Sequence, residues 1–245
     1  MRNSKHSAKP ARHVTTITVL KSILNSPDAT TKVAIWDVPT RLFHWLLVGL
    51  IALSWWAAEN HFDDVHIWSG IAVLTLLIFR ILWGFVGSST ARFSSFVKGP
   101  RAVVGYLQGS WRGIGHNPLG ALSVIALLAM VAVQVGLGLF ASDEDGLMQG
   151  PLAHLISFDA QESVAELHED LFNVLLALAA LHVAAIIFYR LRGKNLVKPM
   201  ITGSGEVEPG VAPMKPGKWW SALLCLAIAI GITRWVIAGA PPFGT

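Results

Sequence analysis

Five stretches of this chain are long and apolar enough to cross a lipid bilayer, and they limit its fold more than any other feature. A spanning helix needs about 20 mostly apolar residues. Leu42–Ala58, Ile67–Val86, Leu119–Ala141, Leu171–Tyr189 and Trp219–Ile237 come close to that length. The hydrocarbon core offers no water to backbone N–H and C=O groups, so each stretch must bond internally as a helix. Of the 245 residues, 53% are hydrophobic and 14% charged, whereas an average soluble domain carries about 25% charge. Those figures exclude an ordinary soluble domain, and equally a disordered chain, which needs low hydrophobicity and high net charge. The single cysteine, Cys225, excludes a disulfide framework, a cysteine-ligated zinc site and an iron–sulfur ferredoxin site.

Charge is sorted between the loops. Residues 1–41 and the stretch from Arg92 to Arg112 are rich in Lys and Arg, and Arg190, Arg192, Lys194, Lys198, Lys215 and Lys218 flank spans four and five. The stretches Glu59–Asp64 and Asp143–Asp170 hold eleven Asp/Glu and no Lys or Arg. Positive residues stay on the cytoplasmic side. The expected topology therefore has the N-terminus inside and the C-terminus outside. Trp36, Trp45, Trp55, Trp56, Trp219, Trp220 and Trp235 gather near span ends, as interfacial anchors do.

The domain division follows from these features. Residues 1–34 read as a flexible cytoplasmic arm with no apolar run of a cleavable signal. Residues 35–195 form the four-span core, 196–218 a Gly/Pro-rich cytoplasmic linker, and 219–245 a fifth span and tail. The expected fold is all-α: a four-helix transmembrane bundle with a fifth helix appended.

Ionisable side chains inside spans are rare and are functional candidates by default. Four of the nine histidines lie in or at the edges of spans, at two depths. His44 and His182 sit toward the inner side, and His66 and His168 open spans two and four on the outer side. His168 and His182 are 14 residues apart, so they fall within about 40° of one helix face and about 21 Å apart along it. One helix thus offers an imidazole near each membrane surface, and facing helices offer a counterpart at each level. That arrangement suits two stacked haems with two axial histidines each, held in a helical bundle. Filling both axial positions leaves electron transfer as the task. An interhelical hydrogen-bonding role is the plain alternative for any one histidine, and four paired by depth argue against it. A proton relay would need deep acidic groups, and none lies within a span.

Other candidates surround these four. Arg80 follows His66 by 14 residues and shares its helical phase. It either snorkels to the interface or pairs with a propionate of the inner haem, and its phase favours the second. Arg41, one turn before His44, carries the same two readings, while Arg234 reads as a snorkelling residue. Gly70, one turn beyond His66, and Gly49 allow close approach of a helix or a flat porphyrin. His116 reads as a helix-start residue, with a place near the inner haem or a quinone as the minor alternative. His6 and His13 read as solvated, and His61 and His154 as surface residues of the outer loops, with a place near a haem edge or a quinone as the minor alternative.

Four blocks carry a family resemblance: WDVPTRLFHW (Trp36–Trp45), HIWSGIAVLTLLIFRILWGFVG (His66–Gly87), GHNPLGAL (Gly115–Leu122) and LHEDLFNVLLALAALHVAAII (Leu167–Ile187). Over about residues 33–195 the chain resembles the bacterial cytochrome b561 family, which includes the b-type cytochrome subunit of nickel-dependent hydrogenases. The resemblance implies two haem b, with His44 and His182 on the inner one and His66 and His168 on the outer one, as the depth argument has it. It also implies electron exchange between the quinone pool and a periplasmic partner such as a c-type cytochrome, which is quinol:cytochrome c oxidoreductase chemistry. The acidic outer loops suit a basic partner. A second reading is the membrane-anchoring cytochrome b subunit of a nickel–iron hydrogenase or other dehydrogenase. A third, from a different class, is a haemless transporter or assembly factor. Lipid is the remaining expected partner, and nucleic acid is not one.

Overall fold

The structure, a computed structural model, describes residues 30–143, 145–146 and 148–241. The expected arm therefore lies outside the described residues except for its last few. Helix α1 spans Val38–Glu59, α2 Asp63–Val86, α3 Phe93–Phe96, α4 Pro100–Leu107, α5 Pro118–Gly138, α6 Phe158–Leu191, α7 Val197–Thr202 and α8 Trp219–Ile237. Strand β1 is Thr31–Ala34 and β2 is Ser204–Val207. Helices α1, α2, α5, α6 and α8 are long and apolar enough to cross a membrane, at the five places expected. The protein is an all-α multi-pass membrane protein, its small two-stranded clip aside.

Two of the long helices start on caps legible in the sequence. Asp37 caps α1: its Oδ1 accepts the Thr40 backbone N–H at 2.8 Å, and a proline occupies the first turn. Asn117 and Pro118 do the same for α5, the Asn117 side chain accepting from Gly120 N at 2.7 Å. A cap oxygen and a proline both suit a helix start, where backbone N–H groups lack partners. Asp37 does more than cap. Its Oδ2 accepts the Trp83 indole N–H at 3.0 Å, tying the start of α1 to the end of α2. Asp37→Ala removes the cap and strands a fully buried indole N–H, and should cost about 2 kcal/mol or more. Thermal unfolding in detergent checks this: the melting temperature should fall clearly, and Asp37→Asn should recover part of the loss.

Helix α2 is the centre of the assembly. It packs against α1, α5 and α8, and nearly half of its apolar segment is buried. One cluster joins Phe43, Phe79, Trp83, Ala91, Cys225 and Ala229. Another joins Val73 and Leu77 to Val131 and Leu175. Helix α8 lays its small residues Cys225, Ala229 and Thr233 on α2, where the Thr75 and Thr233 hydroxyls meet at 3.0 Å. Its other faces carry exposed Leu, Ile and Trp that suit lipid. Helix α6 packs along α5 but stands off from α1 and α2, which leaves a gap at the bundle centre.

Two features go beyond the expected spans. Helix α6 begins ten residues before His168. Its 34 residues make it about 50 Å long, well beyond a hydrocarbon core of about 30 Å. Its first turns carry Asp159, Glu162, Glu166, Glu169 and Asp170 in an i, i+3, i+7 pattern that gathers them on one side. The segment 196–218 holds α7 and β2, and β2 pairs antiparallel with β1 from Thr31↔Val207 to Ala34↔Ser204. Gly203, at φ 83°, ends α7 in the left-handed conformation, and its carbonyl accepts the Ile35 and Trp36 N–H groups at 2.8 and 3.1 Å. The segment is thereby strapped across one end of the bundle. That end, which carries Arg41, Arg92, Lys98 and Arg112, is the basic end. The opposite end, which carries Glu59, Asp63, Asp64 and the start of α6, is the acidic end.

Candidate haem sites

At the acidic end α2 and α6 bring the His66 and His168 rings together edge to face across the central gap. Their ring centroids are 6.1 Å apart and their planes 87° apart. Two imidazoles on opposite sides of one metal ion, each bonded at about 2 Å, have centroids roughly 6 Å apart. The outward nitrogen of each ring is already occupied. His66 Nδ1 lies 2.9 Å from the Ser54 backbone carbonyl, and His168 Nδ1 lies 2.9 Å from that of Gln134. A carbonyl only accepts, so both Nδ1 atoms carry the proton and both Nε2 atoms keep a free lone pair. This is the second-shell arrangement that orients a metal-ligating histidine.

Gln134 completes the link. Its side-chain Nε2 donates to the His168 carbonyl at 2.7 Å, so α5 and α6 exchange two bonds at this level. It is the single polar residue in mid-span three, a signal visible in the sequence without its purpose. Ser54 carries no comparable signal.

A cavity of about 650 Å³ opens beside the pair and is lined by Trp55, Gly70, Gly138 and Phe172 among others. Such a volume is typical of a cofactor pocket. Nothing lies within 4 Å of where a Gly70 side chain would start, so this glycine borders open space. At Gly138 a Cβ would come within 3.0 Å of His168 Cε1. The two glycines thus leave room for a flat group and for the ring that would hold it. The residues present fit a planar ring with two axial histidines.

At the basic end His44 and His182 lie within electrostatic reach of each other. His44 Nδ1 is buried without a partner, and His182 Nδ1 makes only a long contact of 3.4 Å to the Ser123 hydroxyl. A fifth histidine joins them. Gly115, at φ 78°, turns the chain where a Cβ would press within 3.2 Å of Thr90. That turn sets the His116 ring between Trp36 and Phe96, at centroid distances of 4.6 and 4.8 Å. Its ring keeps some exposed edge, but Nδ1 is buried and unpartnered. Burial, then the nearby Arg80, His182 and His44, push its pKa down to about 3, so it is neutral at ordinary pH. The structure therefore puts His116 near the basic-end pair, closer to the minor of its two sequence readings. Among the described residues no three of His, Cys, Asp or Glu converge on a point, so paired histidines are the ligand sets on offer.

Arg80 does not reach solvent. It is 2% exposed, with its guanidinium 5.0 Å over the Phe93 ring and 5.9 Å over that of Phe43. Arg41 differs: its Nη1 donates to the Ile201 carbonyl at the end of α7, and Trp45 Nε1 donates to the Met200 carbonyl at 3.2 Å. Arg41 is thus partly engaged by the strap, while Arg80 is not. Arg234 is exposed near the end of α8, and Gly49 faces outward. Beyond His116, the Tyr106 and Tyr189 hydroxyls share a hydrogen bond, and Asn117 Nδ2 donates to them at 3.2 and 3.3 Å. Burial and the shared bond push the Tyr106 phenol up to about 12.

Histidines paired at two levels of an apolar helical bundle, one pair held by backbone carbonyls, point to the class: a membrane protein with sites that fit haem. A family model described as prokaryotic cytochrome b561 matches residues 35–203, more than half of the chain. The chain belongs to the prokaryotic cytochrome b561 family. No curated protein and no solved structure gives a significant match. Membership makes the chain a membrane b-type cytochrome that binds b-type haem and transfers electrons, and the haemless transporter or assembly-factor reading falls with it.

Proposed function

We propose that this protein carries electrons across a bacterial inner membrane, between the quinone pool and a basic redox protein at its acidic end. In this reading His66 and His168 hold one b haem, and His44 and His182 hold a second. The facing pair at the acidic end, with both Nδ1 atoms engaged by backbone carbonyls, supports it most. Haem held by these histidines would supply a one-electron couple for electron transfer. Gly70 and Gly138 give the ring its room, Gln134 fixes the α5–α6 spacing, and Arg80 pairs with a propionate at the basic end. The positive-inside rule puts the basic end in the cytoplasm. The carboxylates of α6, with Asp63 and Asp64, attract a cationic partner on the other side.

Two measurements test this. A redox-titrated optical spectrum of the purified chain, with haem quantified, should show two low-spin b haems per chain; none, or one, sinks the reading. Electron transfer to a cationic c-type cytochrome should slow as ionic strength rises and should outpace transfer to an anionic one. Equal, salt-insensitive rates would remove the acidic docking face, and co-purification with an iron–sulfur dehydrogenase subunit would replace the c-type cytochrome as partner.

A further inference from the structure

The two ends of the bundle treat their polar atoms differently. At the acidic end both candidate ligands have their outer nitrogens satisfied, and of the buried unpartnered atoms among the described residues only Gln134 Oε1 lies there. At the basic end a group of buried polar atoms has no partner: both terminal nitrogens of Arg80, His116 Nδ1, Arg92 Nε, Ser88 Oγ and Thr40 Oγ1. The nitrogens of Arg80 and Arg92 can only donate.

Arg80 is the costliest member. A guanidinium cannot shed its proton, and a buried cation needs an anion. The nearest carboxylate among the described residues is Asp37, which accepts from Thr40 N and Trp83 Nε1 and makes no hydrogen bond or ion pair with Arg80. The one ion pair among the described residues is Arg112–Glu208, at the surface. Aromatic rings hold the donors still. Arg80 sits over Phe93, Phe93 packs on Phe96 at 5.8 Å, and Phe96 packs on His116 at 4.8 Å. Arg80 and His116 therefore belong to one aromatic cluster, and neither the Arg80 terminal nitrogens nor His116 Nδ1 finds a partner among the described residues.

We infer that Arg80 and His116 form a carboxylate clamp, and that its ligand is a propionate of the haem held by His44 and His182. The clamp rests on the proposed two-haem reading and adds a property to it. A fixed cation beside one haem favours the electron-loaded form, so Arg80 raises the potential of the basic-end haem alone. His116, neutral, contributes a donor and no charge. Arg80 and His116 are positioning residues.

The experiment is an optical redox titration of the full chain with both haems bound. In Arg80→Gln the reduction equilibrium constant of one haem should fall at least tenfold, a shift of about 59 mV for one electron. Arg80→Lys should recover at least half of that. His116→Phe keeps the stack on Trp36 and Phe96 and loses the donor, and should move the same haem about threefold. The haem that moves should be the one that His44→Leu removes. Redox-difference infrared spectra should show carboxylate bands that shift in Arg80→Gln. Unchanged midpoints in Arg80→Gln and His116→Phe overturn the clamp, as does movement confined to the haem that His66→Leu removes. Should Arg80→Gln fail to fold, unchanged midpoints and carboxylate bands in Arg80→Lys and His116→Phe overturn it equally. A wild-type chain with fewer than two haems overturns the reading beneath the clamp instead.

Discussion

Replacing His66 and His168 together with leucine should leave a chain that carries one haem instead of two. Each ring is aimed at the other across the central gap, and each is oriented by a different helix, His66 by the Ser54 carbonyl of α1 and His168 by the Gln134 carbonyl of α5. Among the described residues no third His, Cys, Asp or Glu converges with the pair on one point. A single change at either position should remove the same haem, while His44 and His182 keep the other. Stability should fall too. A ligand present at about a thousand times its dissociation constant stabilises the native state by about 4 kcal/mol, and that contribution disappears with the ligand. Haem quantification and thermal melts of the three variants check both effects. Two haems per chain in the double variant would mean that the ligands lie elsewhere.

Gly70→Phe should have a comparable effect on haem content and the opposite effect on the haem-free fold. Gly70 borders the cavity of about 650 Å³, and no atom lies within 4 Å of the point where its side chain would begin. A phenyl ring there meets open space, so the haem-free bundle is not crowded. Filling an apolar cavity and removing a glycine from mid-helix should each stabilise that state, by about 1 kcal/mol or more in all. The same ring would occupy the room a flat cofactor needs. Haem content should therefore drop to one per chain, while the haem-free protein melts no lower than wild type. Gly49→Phe is the control: that position is also uncrowded but faces away from the cavity, and both haems should remain. Gly138→Leu should act differently, by pushing the His168 ring out of line. A Gly70→Phe chain with both haems would turn the cavity into a packing defect.

How much of the site is legible in the sequence depends on which physical rule each part obeys. Spans obey a one-dimensional rule, since hydropathy over about 20 residues reports on a helix in lipid; all five helices lie where the apolar runs do. The start of α6 is the exception. Its first turns are acidic and carry no apolar run, yet they continue the helix from Phe158. The levels of the four histidines also follow from chain position, because the helical rise is constant. His116 was the weak point. It lies in a loop between spans, where no period applies, and only the turn at Gly115 and the rings of Trp36 and Phe96 carry it to the inner pair.

Sequence alone determined that this chain is a bundle of apolar helices with charge sorted to its two ends and histidines at two levels, because hydropathy and helical periodicity are local properties. Tertiary structure decided which atoms those histidines present. The Nδ1 of His168 is settled by a carbonyl 34 residues away, and Asp37 is turned to Thr40 N and Trp83 Nε1 while Arg80 stays without a partner. Such pairings join positions on different helices, and no spacing within one helix encodes them.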